Sequence, residues 1–346
     1  MSLPKRASRP GRVVALAALL ALAGAPLQAQ RASGNGEHGV FLRLASYAPK
    51  SYESVLQNLR AALAAGGWTV LADYEAGVNR TRCAYRARVV VAHWPEYAAS
   101  VVRDGARGAF AAPVRLSVFE DEAGVKVVAV NPLSLNRTIV AETGRAAEWA
   151  RLTTQLEAVV HARLPGTSVE YGAMREQGRI GRTMGVMAGG PFEGKIKEVL
   201  AVPAGSEGVR GVAKRLHDGL ARQAGAGEWQ LRPAFLEDLA PRDIVVLGIT
   251  GEPMEAKSFD IVGAGTDASR RVMACAGIDH AASYPLELVL VQEDQTVHIQ
   301  VVDEMFRMKM YFEDAGMMAF ARNMGMPGSL GGELRQKVSA ALAPAS

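Results

Sequence analysis

Two stretches decide the fold: Pro113-Val-Arg-Leu-Ser-Val-Phe-Glu-Asp-Glu-Ala-Gly-Val-Lys-Val-Val-Ala-Val130 and Pro285-Leu-Glu-Leu-Val-Leu-Val-Gln-Glu-Asp-Gln-Thr-Val-His-Ile-Gln-Val-Val302. Each opens on proline and alternates apolar with polar residues, turns through an acidic cluster, and alternates again. That period-2 pattern is a β-hairpin. Opposed hairpin residues share a face, so Val118 is expected opposite Val125 and Leu116 opposite Val127. The parity predicts a loop over Glu120–Ala123 with Gly124 opening the return strand. The same register sets His298 opposite Val289, on the outward, partly solvated face. Glu120-Asp121-Glu122 then reads as a solvated turn, since nothing in the pattern desolvates a catalytic carboxylate pair.

Working outward, residues 113–150 and 285–322 align without a gap at an offset of 172. Leu116 falls on Leu288, Val125 on Val297, Gly144 on Gly316 and Ala147 on Ala319. Charge sign is kept where Arg137 meets Lys309 and Glu142 meets Asp314. Upstream the offset is 157, placing Val55, Leu59 and Leu63 on Val212, Leu216 and Leu220. The run Val89-Val90-Val91 falls on Ile244-Val245-Val246. Between that run and Pro285 the second copy holds 17 more residues than the first. Each copy reads as strand, helix, strand, strand, hairpin, helix. In the first, Val40–Ala45 is a strand, and Ser51 is expected to cap a helix carrying the stripe Val55, Leu56, Leu59 and Leu63. Gly66-Gly67 stops that helix, and Trp68–Leu71 and Arg88–Ala92 return as strands. The internal repeat divides the chain into domains at 30–164 and 196–346, joined by a glycine-rich linker over 165–195.

Residues 1–29 stand apart. Lys5, Arg6, Arg9 and Arg12 precede eleven uncharged apolar residues, Val13–Ala23, and Leu27-Gln28-Ala29 offers a cleavage site. That order predicts a secretory signal peptide, too short in its apolar run to span a bilayer. The expected destination is the periplasm or the exterior, with no stable membrane insertion after cleavage. The whole chain has 39 basic and 35 acidic residues, but those four basic residues belong to the signal, and 35 against 35 remain. A neutral mature chain excludes a general attraction for polyanions, and the sheet face expected from Arg115, Lys126, Glu287 and His298 is mixed in sign. Nucleic acid is therefore not an expected partner. Cys83 and Cys275 are the two cysteines. An exported chain permits a bridge between them, but two separate half-buried thiols are the expected state.

Further residues carry the resemblance to a known family. Val89-Val90-Val91 leads into a turn with Pro95 and an Ala-rich helical stretch (Ala98, Ala99). Ala112-Pro113, the hairpin and a closing amphipathic helix follow. In that order the chain resembles the family known as domain of unknown function 302, over about 39–160 and more loosely over 196–343. The resemblance implies an α+β protein of two tandem, diverged β-α-β-β-β-β-α domains similar to the TATA-binding-protein-like fold, each an antiparallel sheet with helices on one face. It carries no settled biochemical role. The chain departs from the family pattern at His93-Trp94-Pro95, where members often show Cys-Asn-Pro, and at Val114 and Leu286, where they often show Cys.

Candidate chemistry is sparse. His93 ends a strand beside Trp94, Glu96 and Tyr97, and with His298 these form the ligand-binding candidates. Seven methionines fall between 305 and 326. Soft thioethers suit Cu(I), which makes Met308, Met310, Met317 and Met324 candidate ligands and copper the candidate cofactor. Phe306, Met308, Met310 and Phe312 alternate with Arg307, Lys309 and Tyr311, which also reads as a strand packed on a core. Gly263-Ala264-Gly265-Thr266-Asp267-Ala268 matches the Gly-x-Gly-x-x-Ala fingerprint, but lacks a βαβ context and reads as a loop turning into a helix. No catalytic residues are nominated. The expected function is a non-enzymatic binding or accessory role, taking a small molecule or an exported protein partner on exposed sheet faces or in the crevice between the domains. Duplication within one chain would then stand as an intrachain pseudo-dimer. The alternatives are copper handling through 305–326 and an enzyme whose site is assembled between the two domains.

Overall fold

The computed structural model describes residues 38–103, 105–140, 143–175, 190–240, 242–265 and 275–343. The expected signal segment therefore lies outside the described residues, as do Gly178, Gly181, Gly185 and Gly189 of the expected linker. Two antiparallel sheets organise what is described. The first half runs β1 (His38–Tyr47), α1 (Tyr52–Ala65), β2 (Thr69–Glu75), β3 (Ala87–His93), α2 (Pro95–Val101), a 3-10 helix (Ala106–Ala111), β4 (Val114–Asp121), β5 (Gly124–Val130), α3 (Pro132–Ile139), α4 (Ala146–His161) and β6 (Val169–Arg175). The second runs β7 (Ile196–Pro203), α5 (Gly208–Arg222), β8 (Arg232–Asp238), β9 (Ile244–Thr250), α6 (Glu252–Gly263), a 3-10 helix (Ile278–Ser283), β10 (Leu286–Glu293), β11 (Thr296–Val302), α7 (Glu304–Phe312), α8 (Met317–Arg322) and α9 (Gly325–Leu342). The sheet orders are β2-β3-β4-β5-β1-β6 and β7-β11-β10-β9-β8.

The hairpin keeps the expected parity but slides by two residues. Val118 pairs with Val127, Leu116 with Ala129 and Asp121 with Gly124, so the loop shrinks to Glu122-Ala123. Charge pairing extends the strands: Arg86 donates to Glu120 at 3.1 Å, and Lys126 holds Asp121. Glu120 and Asp121 are thus ladder residues rather than a solvated turn. Gly124 sits at φ +125°, a conformation that a side chain would strain. His298 accordingly pairs with Val291, not Val289.

Three other expectations are corrected. Phe306–Phe312 is helical, within α7, because the Asp303 carboxylate accepts the Phe306 N–H at 2.9 Å and caps it. Every residue from Phe306 to Phe312 is buried, so no polar face was left to reveal a 3.6-residue period. Ser51 does not cap α1; its hydroxyl donates to the Ala48 carbonyl at 2.6 Å. Within the stretch expected to be linker, Val169–Arg175 is a strand that extends the first sheet beside β1.

Helices α1 and α4 cover one face of the first sheet, and α5 and α9 cover one face of the second. Val55, Leu56, Leu59 and Leu63 are all buried, each removing apolar area worth about 1.5–3 kcal/mol. The opposite faces are covered over the central strands, while the outer positions of β7 and β11 stay partly exposed. The 3-10 helix Ile278–Ser283 lies on β3, β4 and β5, and Ala106–Ala111 lies reciprocally on β9 and β10. One apolar core runs through both halves, so residues 38–343, where described, form one unit. Of the expected open sheet face, Arg115, Lys126 and Glu287 are instead buried in a seam, each under 10 % exposed, while His298 is partly exposed as expected. Among the described residues no helix is long and apolar enough to cross a membrane.

Candidate functional site

The seam is held by charges that the outward positions of β4 and β10 supply. Arg115 forms a salt bridge with Glu287 and donates to the Tyr311 hydroxyl and to the Ser283 carbonyl, the last at 3.2 Å. Arg307 donates to the other Glu287 oxygen at 3.1 Å and to the carbonyls of Ser283 and Pro285 at 2.6 and 2.9 Å. Burial works against the Arg115 charge, but Glu287 and Tyr311 together outweigh it and raise its pKa. Glu255, on α6, reaches across the seam: its oxygens accept from Tyr74 at 3.0 Å and from the Gly77 N–H at 2.6 Å, and Thr250 donates from its own half. Burial pushes Glu255 up to about 7, only partly offset by those donors. A Cβ at Gly77 would overlap the Glu252 backbone, so glycine is what lets the two segments approach here.

Beyond Gly77 the seam opens into a cleft of about 240 Å³ lined by residues of both halves. Its first wall is the loop after β2. Asn79 shapes that loop, its side-chain oxygen accepting from the Thr81 N–H and hydroxyl at 3.2 and 2.7 Å while its carbonyl accepts from Cys83 N–H at 2.8 Å. The second wall is the C-terminal turn of α6 together with Cys275, Ala276 and Ile278. A disulfide between Cys83 and Cys275, with Cα atoms 5.1 Å apart, ties the two walls. Val78, Phe259 and Ile278 supply apolar surface. At the rim Asn79 donates to Asp260 at 3.0 Å, and the Arg82 guanidinium lies 3.5 Å from the same carboxylate. The volume falls below the roughly 300–1,000 Å³ of pockets for drug-sized ligands, which limits an occupant to a small molecule.

The ligand candidates read from sequence lie elsewhere and are not assembled together. His93 shares its Nδ1 with buried Glu237 of the other half at 2.6 Å; this hydrogen bond raises the His93 pKa against the effect of burial. Burial in turn pushes Glu237 up, and among the described residues its second carboxylate oxygen has no hydrogen-bond partner. Trp94 is buried between Trp68 and Tyr97, with ring centroids 4.6 and 5.5 Å apart, and Tyr97 donates to Asn136 at 3.2 Å. Glu96 faces solvent, where Gln155 and Arg151 hold its pKa below the ordinary value. His298 pairs with Glu198 at 2.6 Å on β11, three strands from the β8 edge that meets His93, about 14 Å away at the usual strand spacing.

The methionines divide similarly. Met308 and Met310 are buried two positions apart on α7 and so project in diverging directions. Met324 is exposed before α9, and Met317 opens α8. Among the described residues no three His, Cys, Asp or Glu side chains gather as a metal site. Gly263 and Gly265 lie at the C-terminal, carbonyl end of α6, with the Ala264 and Gly265 N–H groups already donating to Asp260 and Val262. A phosphate cradle needs the opposite helix end. Asp267 and Ala268 of that run lie outside the described residues. Sequence reasoning did not single out Asn79, Arg82 or Asp260; the available signal was the pair of cysteines, whose bridge marks where the walls meet.

Residues 44–162 match the family described as "Domain of unknown function DUF302". Among solved structures, the uncharacterized conserved protein DUF302 from Bacillus stearothermophilus is similar at 16% identity, over 34% of this chain and 93% of that chain, with a TM-score of 0.29. No curated protein matches the chain.

Proposed function

We propose that this is an exported, non-enzymatic binding or accessory protein that takes a small molecule into the cleft between two tandem, diverged copies of one β-α-β-β-β-β-α unit similar to the TATA-binding-protein-like fold. The observation that carries this reading is the cleft itself, walled by both halves and tied by Cys83–Cys275. The shared strand connectivity of the two sheets supports the duplication, and the bridge fits an oxidising compartment. Burial of the central strands on both faces favours the crevice over the sheet faces as the binding surface. An apolar floor with Arg82 and Asp260 at the rim suits a compact, partly apolar ligand with a polar or charged end. The anionic fluorophore 8-anilinonaphthalene-1-sulfonate is a suitable probe. Saturable binding of one equivalent to the native chain, lost on Ala264→Trp at the exposed lip, is expected. Absence of saturable binding, or binding indifferent to that substitution, would sink the cleft reading.

A further inference from the structure

We infer that Cys83–Cys275 is a clamp that a dithiol reductant opens from the cleft, rather than a staple on which the fold depends. Three observations carry this. Both half-cystines line the solvent-open cleft, Cys83 buried at the margin of the core and Cys275 partly exposed. The bridge joins opposite walls, the loop after β2 and the segment leading into the 3-10 helix Ile278–Ser283. The seam has independent ties away from the cleft: the Arg115–Glu287–Arg307 cluster, the Tyr74 and Gly77 bonds to Glu255, the His93–Glu237 pair and a continuous apolar core.

The chemistry is a two-electron exchange. One thiolate of the reductant attacks a cleft sulfur, forming a mixed disulfide and releasing the other cysteine as a thiolate. The reductant's second thiol then displaces the first cysteine, so the protein gains two hydrogens and the reductant leaves as its own disulfide. The partner this implies is a dithiol protein with a reactive cysteine pair. The inference does not require a ligand in the cleft, so its test and the fluorophore experiment are read separately.

The full mature chain is incubated with millimolar dithiothreitol in native buffer and then with iodoacetamide. The expected result is alkylation of both cysteines while near-ultraviolet circular dichroism is retained. Amide exchange should quicken about tenfold or more around 78–83 and 275–278, with Gly77, β4 and β10 unchanged. The Cys83→Ser/Cys275→Ser double variant should fold and reproduce that exchange pattern. Resistance of the bridge until the chain is unfolded would overturn the inference. So would loss of tertiary structure on reduction, or failure of the double variant to fold, since either makes the bridge a staple.

Discussion

The two halves share strand connectivity yet place different chemistry at equivalent positions, and those differences meet across the seam. Arg115 and Glu287 stand at the same place in their hairpins and pair with each other. Tyr74 and Glu237 occupy matching ladder positions, as do His93 and Thr250, judged by their partners on β3 and β9. One crossing is therefore His93 to Glu237, and its counterpart is Thr250 through Glu255 to Tyr74. In the 3-10 helices His280 stands where the first half has Gly108, and in the helices before them Glu255 stands where the first half has Ala98. Identical halves would set arginine against arginine at Arg115. The two positions instead carry complementary charges, and like-charge repulsion disfavours the alternative pairing.

The sharpest way to break this comparison is at its centre. Glu287→Ala leaves Arg115 and Arg307 buried together without a carboxylate and is expected to cost about 3–5 kcal/mol in urea denaturation. Arg115→Ala should cost clearly less, because Glu287 keeps Arg307. Equal losses would show that the two equivalent positions are not asymmetric.

The second test is His280. Burial opposes its charge, but Asp314 and Asp279 outweigh burial and raise its pKa from 6.5 to about 9. The folded state thus holds a proton that the unfolded chain releases. The contribution is complete below pH 6.5 and fades as pH rises through about 9, on the order of 3 kcal/mol in total. His280→Gln should flatten that alkaline slope in stability measured from pH 6 to 10. A slope that persists would assign it to another group.

The smallest effect belongs to Glu255, whose pKa rises from 4.5 to about 7. For an acid this direction makes the folded state favour the protonated form. The stabilisation is therefore full below 4.5 and is lost as pH rises through about 7. Glu255→Gln keeps an acceptor for the Gly77 N–H and removes the charge. It should be more stable than the parent at pH 8 by about 1–2 kcal/mol, with little difference at pH 4. Destabilisation at both pH values would mean that the carboxylate is required in its charged form.

Much of this was legible in the chain. Alternation around Val114–Val130 and Leu286–Val302 specified the hairpins and their parity, because a strand's side-chain period is two and one residue's slip would invert its faces. The two-residue slide is not legible because it preserves parity, and both hairpins close on two-residue loops. Helix α7 was misread because burial on every side erased the periodicity that announces a helix. The candidate site fared worse. His93 and His298 stood out as isolated polar residues, yet each is tied to a carboxylate in a different part of the molecule.

By itself, then, the sequence determined the α+β class, the position of most strands and of the leading helices, and the parity of the hairpins. These rest on interactions between residues near one another in the chain, where spacing and residue type are sufficient. Only the tertiary structure decided that the polar strand faces meet in a seam, that Cys83 finds Cys275, and that their bridge borders a cleft. Those contacts join residues more than a hundred positions apart, and their geometry is set by how two sheets pack, which no local pattern encodes.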